Sequence, residues 1–272
     1  LGNIRKQKLL EIYKTPFNIY NSKKEELEKI KGFSDIIIAN ILNQEIKRDV
    51  ERHIKYMQKN NIDIITIFDK EYPQMLKTIY DKPISLYIKG NKNILNNDSI
   101  SIVGCRNCTK YGENATKYFA YNLAKENVNI VSGLAKGIDS YAHIGAISAK
   151  GKTIAVLGNG LDMIYPSENI YLANKIIEEN GAIISEYPLG TKPEKMNFPA
   201  RNRIISGLSK SLLVIEAKEK SGTLITVDFA LEQGRNVYVV PGNINSINSV
   251  GTNDLIKQGA RLVTTYKEIE ND

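Results

Sequence analysis

The spacing of hydrophobic residues changes character near residue 60. Before that point apolar residues recur at intervals of three and four, as between Ile30 and Leu42, and this spacing predicts helices. Beyond it, apolar residues alternate with polar ones or form short continuous runs, which predicts strands. We therefore expect a small all-helical N-terminal domain over residues 1–60 and a second domain over residues 61–272.

Within the helical part, Gly32 interrupts the segment Lys29–Phe33 just ahead of an apolar helix. This arrangement looks like half of a helix-hairpin-helix unit, in which a glycine turn and a helix N-terminus hold a DNA phosphate. A small helical bundle used only for packing or for binding a partner fits the same pattern, because bulky Phe33 follows Gly32 and the second half of the hairpin is absent. Both interpretations stay open.

In the second domain, strand patterns alternate with helix patterns. The predicted strands are Ile62–Phe68, Ile84–Lys89, Ile100–Val103, Asn129–Ser132, Thr153–Leu157, Ala182–Ser185, Leu212–Ile215, Val237–Val240 and Arg261–Thr264. The predicted helices are Glu113–Lys125, Ile138–Ala149, Glu168–Glu179, Arg201–Leu208, Leu224–Gln233 and Asn253–Lys257. This alternation is typical of an α/β fold with a mostly parallel, doubly wound sheet.

Glycines and polar residues are concentrated directly after the predicted strands. In such a sheet, ligands bind beyond the carboxyl ends of the strands, so these segments are expected to meet at one edge. Glycine lets a backbone approach a phosphate closely, and a helix N-terminus offers it free N–H groups. The segments are Gly104–Asn107, Ser132–Asp139, Gly158–Gly160, Ser185–Pro188, Glu216–Thr223 and Pro241–Gly242.

The motifs of several enzyme classes are absent from these segments. Gly158 and Gly160 would need a third glycine at Met163 to complete a dinucleotide-binding GxGxxG. A GxxxxGK[ST] phosphate loop and a GxSxG nucleophile elbow are both missing. The pattern favours a structural, hydrogen-bonded His143 over a general base, and the carboxylates are spread over separate elements. We therefore expect a binding protein with no catalytic residue and no cofactor.

Charge points to an acidic partner. The net charge of the chain is +7, and residues 1–90 hold 17 Lys and Arg against 12 Asp and Glu. The remainder holds 20 against 18, so an anion site in the second domain must come from local clustering. The run Lys195–Ile215 provides such a cluster, because it contains four basic residues and no acidic one. Phe198 and Pro199 lie between these charges, although a solvated helix start would show the same pattern.

A stacking ring beside cations is what a single nucleic-acid strand requires of a protein. We predict that Phe198 stacks on a base and that Asn202 contacts a base edge or a phosphate. The predicted phosphate ligands are Arg106, Lys195, Arg201 and Arg203.

Cysteine content and hydropathy restrict the remaining possibilities. The two cysteines, Cys105 and Cys108, have CxxC spacing, but no second pair accompanies them and no metal site is expected. No apolar stretch has the character of a signal peptide or the length of a membrane span, so we expect a cytoplasmic protein without a membrane partner.

The blocks that follow the strands resemble the DNA-processing protein A family of bacteria, also called Smf. The similarity lies in ordered blocks that cover nearly all of residues 70–265. They are VGCR at 103–106, SGLAKGID at 132–139, VLGNGLDMIYPSEN at 156–169, SEYPLG at 185–190, FPARNRIISGLS at 198–209, SGTLIT at 221–226, VPG at 240–242 and GTNDLIKQGA at 251–260.

The resemblance implies an extended Rossmann-like domain that binds single-stranded DNA without strong sequence preference and forms a homodimer. It also implies protection of incoming DNA and loading of a RecA-type recombinase onto it during natural transformation and DNA recombination. The N-terminal helices are similar to the family's variable SAM-like or helix-hairpin-helix module. The implied DNA-binding residues are Gly104, Arg106, Ser132, Gly133, Lys136, Gly137, Lys195, Phe198, Arg201, Asn202, Arg203, Ser221 and Thr223.

A second group with Rossmann-like folds, the cytokinin-activating phosphoribohydrolases, is similar to this chain around residues 132–139. Those enzymes carry a PGGxGTxxE signature with a catalytic glutamate. The comparable segment here, Ser221–Thr226, has Ile225 and Thr226 where acidic residues would stand, so a binding protein is favoured over a nucleotide-cleaving enzyme.

Overall fold

The computed structural model describes residues 2–269, and the chain divides after Ile62 into two compact units. The first unit is helical. Its elements are α1 (Asn3–Tyr13), α2 (Pro16–Tyr20), α3 (Lys24–Leu27), α4 (Asp35–Leu42) and α5 (Gln44–Lys59).

A small hydrophobic core holds this unit together. It is formed by four buried side chains, Leu9, Leu27, Ile30 and Ile38. Gly32 has a φ of +95°, which explains the interruption of the helical pattern between α3 and α4.

The second unit is built on one sheet of nine strands. The strands are β1 (Ile62–Thr66), β2 (Ser85–Gly90), β3 (Ser99–Val103), β4 (Asn129–Ser132), β5 (Thr153–Leu157), β6 (Ala182–Ser185), β7 (Ser211–Val214), β8 (Asn236–Val239) and β9 (Arg261–Leu262). The helices are α6 (Gln74–Lys77), α7 (Lys110–Lys125), α8 (Ile138–Ser148), α9 (Ile170–Glu178), α10 (Asn197–Gly207), α11 (Gly222–Glu232) and α12 (Val250–Lys257).

The strand order is β1-β2-β6-β5-β4-β3-β7-β8-β9. Strands β3 to β9 pair in parallel with their neighbours, whereas β2 pairs with β6 in antiparallel fashion. The predicted α/β class with a mostly parallel, doubly wound sheet is therefore confirmed. After β3 the chain adds β4, β5 and β6 on one side of it, and then β7, β8 and β9 on the other side. The direction of winding therefore reverses at β3. A crevice at the carboxyl end of β3 is the expected ligand position.

Both faces of the sheet are covered, which explains why the central strands consist of continuous apolar runs. Ile100 and Ile102 of β3 belong to the buried cluster that includes Phe119 of α7. Val103, which points to the opposite face, packs in the cluster that contains Ile204 and other α10 residues. The helices are thus fixed against the sheet on both sides, and the loops at its carboxyl edge rest on a rigid base.

Helix α10 begins at Asn197, earlier than the predicted start at Arg201. Pro199 lies in the first turn of this helix, where backbone N–H groups have no intrahelical acceptor, so its missing N–H costs little. The consequence for the site is that Phe198 is carried by the first turn of a helix and not by a loop.

Candidate nucleic-acid interface

A cleft of about 680 Å³ opens at the carboxyl end of β3, where the winding reverses. We call it the central cleft. Its lining residues are Val103, Gly104, Cys105, Arg106, Asn107, Ala135, Asp139, Tyr165, Pro193, Lys195, Phe198, Pro199, Arg201, Asn202, Ile205, Lys218, Ser221, Gly222, Thr223 and Thr226. Five separate segments that follow β3, β4, β5, β6 and β7 therefore meet there. Of the six predicted segments, Gly104–Asn107, Ser132–Asp139 and Glu216–Thr223 contribute lining residues, whereas Gly158–Gly160, Ser185–Pro188 and Pro241–Gly242 do not.

The loop after β3 packs tightly against the loop after β4. A Cβ atom at Gly104 would lie 2.7 Å from Cγ1 of Ile138, and one at Gly137 would lie 2.4 Å from the carbonyl oxygen of Arg106. The backbone N–H of Ile138 also donates to the carbonyl of Cys105 at 3.2 Å. Glycine is thus required at both positions for the close approach, which fixes the backbone of Arg106 beside the start of α8.

Two aromatic rings lie together on one wall of the central cleft. The rings of Tyr165 and Phe198 have centroids 5.5 Å apart and an interplanar angle of 36°. Gly158 makes room for the Phe198 ring, since a Cβ atom there would lie 3.0 Å from Cδ1 of Phe198. Phe198 is half-buried, and Tyr165 is exposed. We call these two rings the aromatic pair.

Three exposed cations line the central cleft. The guanidinium carbon of Arg106 is 5.8 Å from the centre of the Phe198 ring, within the range of a cation–π contact. Lys195 lies just before α10, and Lys218 lies in the loop after β7. Among the residues that the structure describes, no acidic side chain forms an ion pair with any of the three. Their charge is therefore available to an anionic ligand.

Arg201 lines the cleft, but its guanidinium group is bound by backbone carbonyls beneath the cleft floor. Its side chain is 4% exposed, and Nη1 donates to the carbonyl of Gly133 at 2.8 Å and to that of Val156. Burial lowers the pKa of Arg201 to about 10, although the neighbouring Asp139 counteracts part of this effect. Burial likewise raises the pKa of Asp139, and the charge of Arg201 opposes that rise. Arg201 thus joins β4, β5 and α10 beneath the cleft.

The structure corrects the predicted role of Arg203. This side chain does not line the central cleft, and it is only 5% exposed. Its two terminal nitrogens donate to the carboxylate of Glu186 at 2.5 Å and 2.6 Å, and Nε lies 3.1 Å from Oδ2 of Asp81. Burial lowers the pKa of Arg203, but the bonds to Glu186 and the charge of Asp81 outweigh burial and raise it. Arg203 therefore forms a buried ion pair and is not a phosphate ligand.

Two further predicted residues, Ser132 and Lys136, are also engaged within the protein. The hydroxyl of Ser132 is buried and donates to the carbonyl of Ile102 at 2.7 Å, so it does not reach the central cleft. Lys136 forms an ion pair with Glu168. Together with Gly133 and the aromatic pair, Lys136 lines a cavity of about 80 Å³ that adjoins the cleft. Of the two, only Lys136 lies close enough to the site to exchange its partner for a ligand.

The start of α11 forms another wall of the cleft. Ser221, Gly222 and Thr223 lie there, and the side-chain nitrogen of Asn202 is 3.5 Å from the carbonyl oxygen of Gly222. Two predicted positions, Ser221 and Thr223, are thus brought beside a third, Asn202.

Sequence reasoning missed Tyr165, and it placed the segment of Lys218, Glu216–Thr223, at this edge without naming the lysine as a ligand. Tyr165 lies in a segment without periodicity after β5, and Lys218 lies in a run of alternating charges, Glu216–Lys220, that reads as a solvated loop. The signal for Lys218 is position, because its loop directly follows β7, the neighbour of β3 at the switch point. Tyr165 lies well after the end of β5, and β5 is not a neighbour of β3, so position gives no such signal for it.

His143 has a structural role, as the sequence favoured. The hydroxyl of Thr153 donates to the carbonyl of Ile130, so Nδ1 of His143 donates to that hydroxyl at 2.6 Å. Nε2 is buried without a partner among the described residues. Burial, with a contribution from the charge of Arg201, lowers the pKa of His143 to about 3. The ring is therefore neutral at physiological pH.

The two cysteines are free thiols. Burial and the charge of Glu216 raise the pKa of both, which disfavours the reactive thiolate. Within residues 2–269 no group of His, Cys, Asp and Glu side chains is arranged to hold a metal ion. In the same range, no helix combines the length and the apolar character that a membrane-spanning segment needs.

Comparison with known proteins identifies the family. The model of the DNA recombination-mediator protein A family matches residues 63–272, which comprise the sheet, its helices and every residue of the central cleft. The chain belongs to this family. The resemblance seen in the sequence blocks is therefore confirmed.

Individual members of the family show the extent of the similarity. Protein Smf of Escherichia coli is 44% identical over 223 residues, which cover 82% of this chain and 60% of that protein. The DNA processing protein DprA of Bacillus subtilis is 42% identical over 239 residues, which cover 86% of this chain and 80% of that protein. The chain thus spans less than two thirds of the length of the E. coli relative.

Two solved structures share the fold. DNA processing protein A from Streptococcus pneumoniae superposes with a TM-score of 0.74 at 37% identity and covers 95% of both chains. The protein from Helicobacter pylori, whose structure addresses its single-stranded DNA binding mode, gives a TM-score of 0.69 at 31% identity. It covers 76% of this chain and 93% of its own.

Proposed function

We propose that this chain binds single-stranded DNA in the central cleft, without strong sequence preference. The observation that carries the proposal is the position of Arg106 over Phe198 beside Tyr165, because it combines a stacking surface with a cation. The binding of single-stranded DNA by the H. pylori relative supports the same partner.

The arrangement gives each group a separate task. A base stacks on Phe198, with Tyr165 extending the apolar surface, and such stacking tolerates any base because every base has a π-face. Arg106, Lys195 and Lys218 bind the phosphates on either side of that base. Asn202 can donate and accept, so it contacts either a base edge or a phosphate.

The same geometry favours a single strand over a duplex. Phe198 is half-buried in the wall of the cleft, so a base must leave its neighbours to lie against the ring. In a duplex both faces of a base are already stacked and its edge is paired, and extruding it costs a few kcal/mol. A single strand avoids most of this cost.

Membership of a DNA recombination-mediator family supports a wider role. In our proposal the chain protects incoming single strands and loads a RecA-type recombinase onto them in natural transformation and DNA recombination, acting as a homodimer. Recombinase filament assembly on single-stranded DNA covered with a single-strand-binding protein tests the loading role. We expect the chain to accelerate assembly, and an unchanged rate would contradict loading.

The proposal assigns no catalytic residue, and the nucleotide-cleaving alternative has its own test. Asp139 is the acidic side chain that lines the central cleft, and it lies against Gly133 and Arg201, away from free solvent. Incubation with nucleoside monophosphates, followed by chromatography for released base, should show no turnover. Sustained release of base would establish the enzyme instead.

The binding proposal is tested by a mobility-shift experiment with matched oligonucleotides. One strand is presented alone and then annealed to its complement. We expect the single strand to shift at a lower protein concentration than the duplex. Equal affinity for both forms, or preference for the duplex, would contradict the proposal.

A further inference from the structure

The first turn of α11 has backbone donors without acceptors. The N–H of Leu224 donates to the carbonyl of Ser221 at 3.1 Å, whereas the N–H groups of Gly222 and Thr223 have no acceptor in the part of the chain that the structure describes. Ser221 occupies the N-cap position, but its side chain does not cap the helix. The positive end of an eleven-residue helix is thus open toward the central cleft.

Two hydroxyl groups at the same place also lack partners. Oγ of Ser221 is fully enclosed and makes no hydrogen bond. Thr223 is only 9% exposed and lines the cleft, and its hydroxyl has no partner among the described residues. Buried polar groups nearly always have a hydrogen-bond partner, so the unsatisfied hydroxyl of Ser221 beside an uncapped helix, next to a cleft-lining Thr223, indicates that a ligand completes the site.

The loop before this helix start carries two lysines, Lys218 and Lys220, against one acidic residue, Glu219, and of these three only Lys218 lines the central cleft. Lys218 is exposed on the preceding loop, whose backbone is anchored by bonds from Gly251 to Ala217 at 2.8 Å and from Cys105 to Glu216 at 3.0 Å. The site therefore offers two N–H groups, the hydroxyl of Thr223 and one ammonium group, and the hydroxyl of Ser221 joins them once its side chain rotates toward the cleft. A phosphate group is the ligand that such a set of donors recognises.

The depth of the donors determines which kind of phosphate fits. An internal phosphodiester has two free oxygens and one charge, and the strand continues on both sides of it. A terminal phosphomonoester has three free oxygens and a charge of about −1.5 to −2 at pH 7. Because Thr223 is recessed and Oγ of Ser221 is enclosed, a phosphate must enter with several free oxygens turned inward.

From these observations we infer that the start of α11 binds the terminal phosphomonoester of a DNA strand. The inference rests on the proposed function, since it assigns one end of the bound strand to this wall of the cleft. The donors do not distinguish a 5′ from a 3′ phosphate. Rotation about one side-chain bond turns the hydroxyl of Ser221 toward the ligand.

Competition binding with the purified protein tests the inference. A labelled, hydroxyl-ended oligothymidylate is displaced by short thymidine oligomers that carry a 5′ phosphate, a 3′ phosphate or hydroxyls at both ends, and by a circular single strand. We expect one phosphorylated oligomer to compete about tenfold better than the hydroxyl-ended one, because charged groups form the stronger hydrogen bonds. The 5′ and 3′ arms identify the preferred end.

Two substitutions at one position isolate the backbone donor. Gly222→Pro removes the N–H at the first helical position, where proline is well tolerated, and Ser221 already has the extended backbone (φ −137°, ψ 153°) that precedes proline. Gly222→Ala adds a carbon into open space and keeps the N–H. In the proline variant the phosphorylated oligomer should compete less than about threefold better than the hydroxyl-ended one. In the alanine variant this ratio should be several times larger.

Thr223→Val removes one hydroxyl while keeping the shape of the side chain, and it should also reduce the advantage. Thermal melting and binding of the circular strand show whether each variant is folded.

Equal competition by phosphorylated and hydroxyl-ended oligomers in the wild type would overturn the inference and leave the proposed function standing. Equal advantages in the Pro and Ala variants would also overturn it. A wild-type protein that binds no single strand would refute the proposed function itself.

Discussion

The guanidinium carbon of Arg106 lies 5.8 Å from the centre of the Phe198 ring. The two side chains come from separate segments, one after β3 and one in the first turn of α10. The fold does not depend on either contact, since Arg106 is exposed and forms no ion pair among residues 2–269 and Phe198 is only half-buried. Their proximity is therefore best explained by a ligand that has both a flat apolar face and a negative charge.

Removing the ring should weaken binding without unfolding the protein. Phe198→Ala is expected to lose about 1–3 kcal/mol of affinity for single-stranded DNA, because base stacking on an aromatic side chain contributes that amount. Fluorescence anisotropy with a labelled oligothymidylate measures the dissociation constant. Tyr171→Ala removes an exposed ring of α9 outside the cleft and serves as the matched control. An unchanged dissociation constant in Phe198→Ala would exclude stacking on this ring.

Each phosphate-binding cation should contribute to the salt dependence. Arg106→Ala and Lys195→Ala are each expected to reduce the slope of log K against log salt concentration by about 0.7, the value for one phosphate contact on a single strand. Lys125→Ala removes an exposed lysine near Tyr121 of α7, outside the cleft, and should leave the slope as it is. If neither cleft variant changes the slope, the phosphates are bound elsewhere.

Glu168 should act against DNA binding, because it holds Lys136 in an ion pair beside the aromatic pair. Glu168→Gln removes the competing carboxylate and frees the lysine for a phosphate. We expect tighter binding at low salt and a slope steeper by about 0.7. Glu178→Gln breaks a comparable surface pair with Lys175 and is the control. Weaker binding in Glu168→Gln would show that this pair supports the site instead.

Arg203 should matter for stability and not for phosphate binding. Arg203→Ala leaves the carboxylate of Glu186, which is 12% exposed, without its bidentate partner, and breaking a largely buried pair in this way costs about 3 kcal/mol of unfolding free energy. Urea denaturation measures the loss. The salt slope of binding by the protein that remains folded should equal that of the wild type. A stable variant with a reduced slope would assign Arg203 to phosphate binding after all.

His143 should make the protein sensitive to acid. Its pKa in the folded state is about 3, below the ordinary value of 6.5, so the unfolded state takes up a proton first as the pH falls. The contribution of the neutral His143 ring to the free energy of unfolding is therefore fully present above pH 6.5. It is lost as the pH falls toward 3, at up to about 1.4 kcal/mol per pH unit. Urea midpoints measured between neutral and acidic pH should decline less steeply in His143→Gln. Parallel declines would contradict this assignment.

Much of the fold was predictable because the hydrophobicity of each residue and the spacing of apolar residues are local properties of the sequence. The bounds of β4, β5 and β6 coincide with the predicted ones, since each of these strands is covered on both faces and has an apolar centre. The antiparallel pairing of β2 was not predictable, because an apolar run does not encode the direction of its neighbour. The early start of α10 was hidden by Pro199, which reads as a helix start but lies within the first turn.

The site was predictable where its position follows from topology, as for Arg106 and the loop around Gly137. It was not predictable where a side chain is neutralised by a distant partner. The ion pair between Arg203 and Glu186 joins residues on different elements, and no spacing in the sequence reveals it. For the same reason, the sequence shows Phe198 as a candidate but does not show that Tyr165 lies beside it.

Photocrosslinking shows whether a bound strand stacks on the aromatic pair. A single-stranded oligonucleotide with 5-iodouracil crosslinks to the aromatic side chain on which that base stacks, and mass spectrometry of the digested complex identifies the residue. We predict crosslinks at Phe198 or Tyr165 that are suppressed by excess unlabelled single strand. Crosslinks only at tyrosines outside the central cleft, such as Tyr118 or Tyr171, would refute base stacking in the central cleft.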